Sequence, residues 1–190
     1  MNATILRALA CSLALVAASA GAAPAAGYPD DSIYRLQVAL TDQRGAKLGL
    51  DGHAGRPTIV SMFYASCPHI CPMLISSVQM LEKGLSAEQR GRLRVLFVSL
   101  DPADDAKALA AVVATRGVDG KRWTLASASA DEVRLVAATL GVRYKQLPDQ
   151  SFSHSTILTL LDAQGRVVRR TEAFTDPEPE FRQALADALR

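Results

Sequence analysis

The ten residues Phe63-Tyr64-Ala65-Ser66-Cys67-Pro68-His69-Ile70-Cys71-Pro72 constrain this chain more than any other stretch. The apolar run 58–64 leads into them and reads as a buried strand. An amphipathic run follows, in which Leu74, Val78, Leu81 and Leu85 recur with the period of a helix. Strand, loop and helix in that order is how an open α/β sheet presents its chemistry, beyond the carboxyl end of a strand. Both cysteines lie in that loop.

Proline sets where the helix begins. Pro72 has no N–H and fits the first helical position, where that donor would have no partner. It also pushes Cys71 away from helical geometry. The sequence therefore predicts a helix starting at Pro72, Cys71 as its cap, and residues 67–70 as a loop facing a helix N-terminus. The partial positive charge there favours thiolate over thiol. Two such sulfurs can close a disulfide or hold one soft metal ion. The plainer alternative is a structural disulfide clamping the loop, and its short span would stabilise little.

With 190 residues there is room for one domain and a proper core. Lys plus Arg number 21 and Asp plus Glu 19, a net charge of +2 with no basic stripe. That balance argues against nucleic acid as a partner. Residues 1–26 read as a signal peptide: Arg7 is the only charge, an apolar core spans 9–17, and the small residues 18–23 offer A-x-A cleavage sites. On length alone an uncleaved anchor is the alternative, and it would be the chain's only tie to a membrane. Cys11 sits in the apolar core without the context of a lipidation site. The mature domain, 27–190, keeps only Cys67 and Cys71, and export implies an oxidising compartment such as a bacterial periplasm.

Along the chain, 33–40 and 47–50 predict an N-terminal β-hairpin about the turn 41–45. Strands follow at 58–64 and 93–100, then helices at 72–84 and 104–117. A short strand is expected at 123–125, a helix at 130–141, a hairpin from 155–161 and 166–174, and a final helix from 177. Strands alternating with helices, flanked by hairpins and without repeats, predict one α/β layer domain.

This order resembles a thioredoxin-like fold: a central mixed sheet flanked by helices, with the hairpin as an N-terminal extension. More narrowly, it resembles the Sco/SenC family of copper-binding proteins tied to cytochrome c oxidase assembly. The residues that carry the resemblance are Leu40-Thr41-Asp42-Gln43-Arg44-Gly45, Phe63 with Cys67-Pro68-His69-Ile70-Cys71-Pro72, Val98-Ser99-Leu100-Asp101-Pro102, Phe152-Ser153-His154-Ser155 and Asp162-Ala163-Gln164-Gly165. The resemblance implies copper on Cys67, Cys71 and His154. That donor set suits the metal, since thiolates select Cu(I) and an added imidazole also accommodates Cu(II). His154 is expected in a loop just before a strand, beside the cysteine loop. Ordinary thioredoxins place a cis-proline there, but Pro148 lies six residues too early.

Among the other candidates, His69 is expected to face solvent and His53 to be solvated in its Gly-rich loop. Asp101, at a strand end, either tunes the thiols, contacts a partner, or serves ordinary turn chemistry. Two departures from the family pattern stand beside the site: Ser153 where an acidic residue often precedes the histidine, and Ser66 before the first cysteine. The implied function is an exported copper chaperone delivering copper to the dinuclear centre of cytochrome c oxidase. Its partners would be the copper-bearing subunit or another copper chaperone, with a thiol reductant. The alternatives are a thiol-disulfide oxidoreductase using Cys67 and Cys71 as its redox pair, and a copper- or redox-sensing module. Neither cysteine has the Pro-x-x-x-Thr-x-x-Cys context of a peroxiredoxin, and no serine triad or phosphate loop is present.

Overall fold

A computed structural model of the chain describes residues 27–190, so the expected leader lies outside the described residues. In chain order the strands are β1 (Leu40–Asp42), β2 (Lys47–Leu48), β3 (Thr58–Phe63), β4 (Arg94–Ser99), β5 (Trp123–Ser127), β6 (Tyr144–Gln146), β7 (Phe152–His154), β8 (Leu158–Leu161) and β9 (Val167–Thr171). The helices are α1 (Ile70–Lys83), α2 (Ala87–Arg92), α3 (Ala106–Arg116), α4 (Ala130–Leu140) and α5 (Pro179–Ala188).

Seven strands form one mixed sheet in the order β2-β1-β5-β4-β3-β8-β9, while β6 and β7 pair apart as a two-stranded ribbon. The middle strands β3, β4 and β5 run parallel, with β1 and β8 antiparallel on either side. Every residue of β3 and β5 is buried, and all but Arg94 of β4. Strands buried on both faces require helices over the sheet, and this is the thioredoxin-like arrangement the sequence predicts. Phe63, Phe97 and Trp123 run across the three strands, with centroids 5.9 and 5.4 Å apart. α1 turns Leu74, Ile75 and Val78 into the core, and α4 buries Val133, Val136, Ala137 and Leu140.

Helix ends follow their capping residues. α3 opens on Asp105, whose side chain accepts the Ala108 N–H, and α4 on a Ser129–Glu132 capping box. α2, which the sequence reading passes over, starts with another such box, Ser86 with Gln89.

The first predicted strand is corrected. Residues Ile33–Arg35 form a 3-10 turn, because the Ser32 hydroxyl caps the Tyr34 N–H and the Ile33 N–H bonds the Gly165 carbonyl at 3.0 Å. Pairing starts only at Leu40, and β1 joins β5, so the N-terminal hairpin is the edge of the main sheet.

Candidate functional site

β3 ends at Phe63, and the chain leaves the sheet in a tight turn closed by the Cys67 N–H on the Tyr64 carbonyl, 3.2 Å away. Cys67 thus stands just beyond a central strand, as predicted. The helix start differs. α1 begins at Ile70 with His69 as N-cap, so Cys71 lies inside the first turn and Pro72 at its third position. The first four N–H groups of a helix lack partners within it, so a proline at any of those positions gives up no helical hydrogen bond. The Cys71 N–H points instead at the Cys67 sulfur, 3.3 Å away. Helix start and cysteine spacing support one another.

Both cysteines are free thiols, buried at 8% and 2% exposure. They are electrostatically unequal. Burial pushes the Cys67 thiol up. Hydrogen bonds from the Cys71 thiol, the Cys71 and His69 backbone N–H groups and the Tyr64 hydroxyl outweigh it and hold Cys67 below the usual cysteine range. Burial pushes the Cys71 thiol far up, and its bond to Cys67 and the charges of Cys67 and Asp104 push the same way. One sulfur is disposed to be thiolate; the other donates to it.

His154 is not in a loop. It ends β7, opposite Tyr144 in the ribbon. Buried Phe152 and half-buried His154 alternate with exposed Ser153, so the first two share a face. That face meets Tyr64, whose ring lies 5.3 Å from Phe152 and 6.1 Å, edge-on, from His154. His154 Nδ1 donates to the Ser155 carbonyl at 3.0 Å, which leaves Nε2 with its lone pair. Burial lowers the His154 pKa, against a smaller opposing effect of that bond, and favours neutral imidazole. Among the described residues no three His, Cys, Asp or Glu side chains converge as a ready metal cage. Cys67 and Cys71 are together, and His154 packs edge-on against Tyr64, three residues before Cys67.

His69 is exposed, as expected. His53 is not solvated: it is half-buried, and its Nε2 is buried without a hydrogen-bond partner. Asp101 serves the turn, its carboxylate accepting the Ala103 N–H at 2.9 Å and its carbonyl the Asp104 N–H at 3.1 Å. The carboxylate that reaches the cysteine loop is Asp104, which accepts the Ala65 N–H at 2.8 Å. Sequence reading missed Tyr64 and Asp104. The period-2 pairing of Phe152 with His154 was a visible sign of the ribbon; nothing in the sequence marks Asp104 above its neighbours Asp101 and Asp105.

A cavity of about 60 Å³ lies beside the two cysteines, between α1 and α3. Organic ligands ask for roughly 300 Å³ or more, so this space suits nothing larger than an ion or water. A groove of about 640 Å³ at the far end of α1, lined by Met80, Leu81 and Leu185, holds neither cysteine nor histidine.

Residues 29–189 match the family described as SCO1/SenC. The chain belongs to the SCO1/SenC family. A protein of Stutzerimonas stutzeri named for copper binding is 33% identical to this SCO1/SenC chain over 69 residues, 36% of the chain and 34% of that protein. The match thus spans about a third of the relative's length. Bradyrhizobium japonicum ScoI with copper bound aligns with TM-score 0.66 and 24% identity, over 80% of this chain and 94% of that one. BsSco, described with a disulfide switch and as a member of the Sco family of cytochrome c oxidase assembly proteins, aligns with TM-score 0.68 and 21% identity, over 80% and 90%. At these identities the two structures establish the shared fold.

Proposed function

We propose that this SCO1/SenC protein is an exported copper chaperone that carries its ion on Cys67, Cys71 and His154 and hands it on in cytochrome c oxidase assembly. Copper is cargo here. The observation that supports the reading most is the pair of unequal, free sulfurs at the head of α1, with the His154 imidazole, its pKa lowered by burial, packed edge-on against neighbouring Tyr64. Two sulfurs and an imidazole are donors suited to Cu(I) and Cu(II), and the ion-sized space beside the sulfurs argues against an organic substrate. The relatives named for copper and for oxidase assembly support the same choice. The leader read in residues 1–26 supports export to a periplasm, where a thiol reductant would keep the pair available. Among the described residues no helix is long and apolar enough to cross a membrane.

Metal analysis of the purified protein with its thiols reduced tests this. One copper per chain is expected. His154→Ala should weaken binding by about tenfold or more, since losing a ligand exceeds the loss of an outer partner, while thiol-disulfide exchange persists because it needs only the sulfurs. If His154→Ala binds both copper states like the wild type, the third-ligand assignment is wrong and the oxidoreductase reading replaces it.

A further inference from the structure

Asp104 lies between β4 and α3 and is 8% exposed. Its hydrogen bonds fall on one atom: Oδ2 accepts the Ala65 N–H at 2.8 Å and the Ser99 hydroxyl at 2.6 Å. The Ser99 oxygen in turn accepts the Asp101 N–H at 3.0 Å. One carboxylate oxygen therefore joins the end of β4 to the start of the cysteine loop. Ala65 follows Tyr64, whose carbonyl receives the Cys67 N–H, so the clasp closes two residues before the first sulfur.

The local duties of this turn belong to other residues. Asp101 closes it through the Ala103 N–H, and Asp105 caps α3 through the Ala108 N–H. Burying a carboxylate is unfavourable. Here burial raises the Asp104 pKa, and the bonds from Ser99 and Ala65 oppose it. What Asp104 alone supplies is the link to the loop that carries Cys67.

We propose that Asp104 is a positioning residue for Cys67. Its Oδ2 fixes residues 65–67 against the end of β4, so that the Cys67 sulfur stays where the Cys71 N–H meets it. The first readout below rests on the copper reading; the second does not.

The test uses the full chain and three variants, Asp104→Asn, Asp104→Ala and Ser99→Ala. Asparagine places an amide oxygen where Oδ2 sits, can accept both hydrogen bonds, and removes the charge. Asp104→Ala should weaken Cu(I) binding by roughly 10- to 100-fold, the usual effect of removing the partner that orients a ligand. It should also shift the thiol-disulfide equilibrium of Cys67 and Cys71 with glutathione, at fixed pH and without metal, by about threefold or more. Asp104→Asn should stay near wild type in both assays, and Ser99→Ala should fall between. If no chain binds copper but the glutathione equilibrium separates Ala from Asn, the copper reading falls and the positioning role stands. Asp104→Asn behaving like Asp104→Ala would assign the effect to charge and overturn the proposal, as would Asp104→Ala behaving like wild type in both assays. Should Asp104→Ala not fold, the proposal stands only if Ser99→Ala shifts the glutathione equilibrium while Asp104→Asn does not.

Discussion

Acidification should destabilise this protein before most of its carboxylates titrate, and His53 sets the size of the effect. Its Nε2 is buried without a partner. Burial, reinforced by the charges of Arg94 and Arg44, lowers its pKa from 6.5 to about 4. The unfolded chain takes up the proton first, so this stability is complete above about pH 6.5 and is lost as pH falls toward 4. Between about pH 7.5 and 5 the linkage amounts to about 2 kcal/mol. His53 is partly open to solvent, so about 1 kcal/mol is the working figure after screening. In a domain of this size that lowers Tm by roughly 2–4 °C. His154, also lowered by burial, acts in the same direction, and Asp104, raised by burial, acts in the opposite one. Both are unchanged in His53→Gln, which is neutral throughout. Thermal unfolding of metal-free wild type and His53→Gln at the two pH values should show a drop in Tm smaller by roughly 2–4 °C in the variant. Equal drops would refute the buried, neutral assignment. The result also bears on the site, because copper lost on acidification has to be separated from loss of the fold.

Tyr64→Phe keeps the ring against Phe152 and His154 but removes the hydroxyl from Cys67. Cys67 should then ionise at higher pH, followed by thiolate absorbance in metal-free protein, with a stability loss of about 1 kcal/mol; unchanged ionisation would remove Tyr64 from the site. Gly165 has φ +79° in the β8–β9 turn, and an added Cβ would lie 2.5 Å from the Tyr34 ring and 2.7 Å from Ser32 Oγ. Gly165→Ala should therefore cost about 2 kcal/mol or more in a denaturant melt, and a loss below about 1 kcal/mol would show that the Ile33–Gly165 contact yields easily.

What the sequence made legible follows its periodicities. β3, β4 and α1 were readable because apolar runs and a helical stripe of the right length bracket the cysteines, and their parallel pairing came with the alternation of strands and helices. α1 starts two residues before the position its proline suggests, because the whole first turn of a helix, not the first position alone, lacks internal partners. The strand that carries His154 reads as loop in the sequence, because three residues pairing only with another three leave a weak signal against the turn residues around Pro148. Asp104 and His53 were beyond reach for a different reason. Their roles depend on burial and on groups from distant segments, the Ala65 N–H bonded to Asp104 in one case and the like charge of Arg94 near His53 in the other, and local pattern does not report either.

The way the three proposed donors are mounted bears on what the protein can do. Cys67 and Cys71 are anchored to the rigid middle of the sheet, one at the end of β3 and the other in the first turn of α1, with Asp104 tying their loop to β4. His154 belongs to a ribbon that pairs only with itself, and it and Phe152 meet the cysteine side at the ring of Tyr64. Aromatic packing of that kind is worth about 0.5–1.5 kcal/mol per pair, much less than a strand held in a ladder on both sides. Two donors are therefore fixed and the third is held by a modest contact. A permanent metal centre would call for all three to be rigid. In the proposed chaperone, the ligand held by the weakest contact would be the first to leave, and His154 on the separate ribbon would be that ligand.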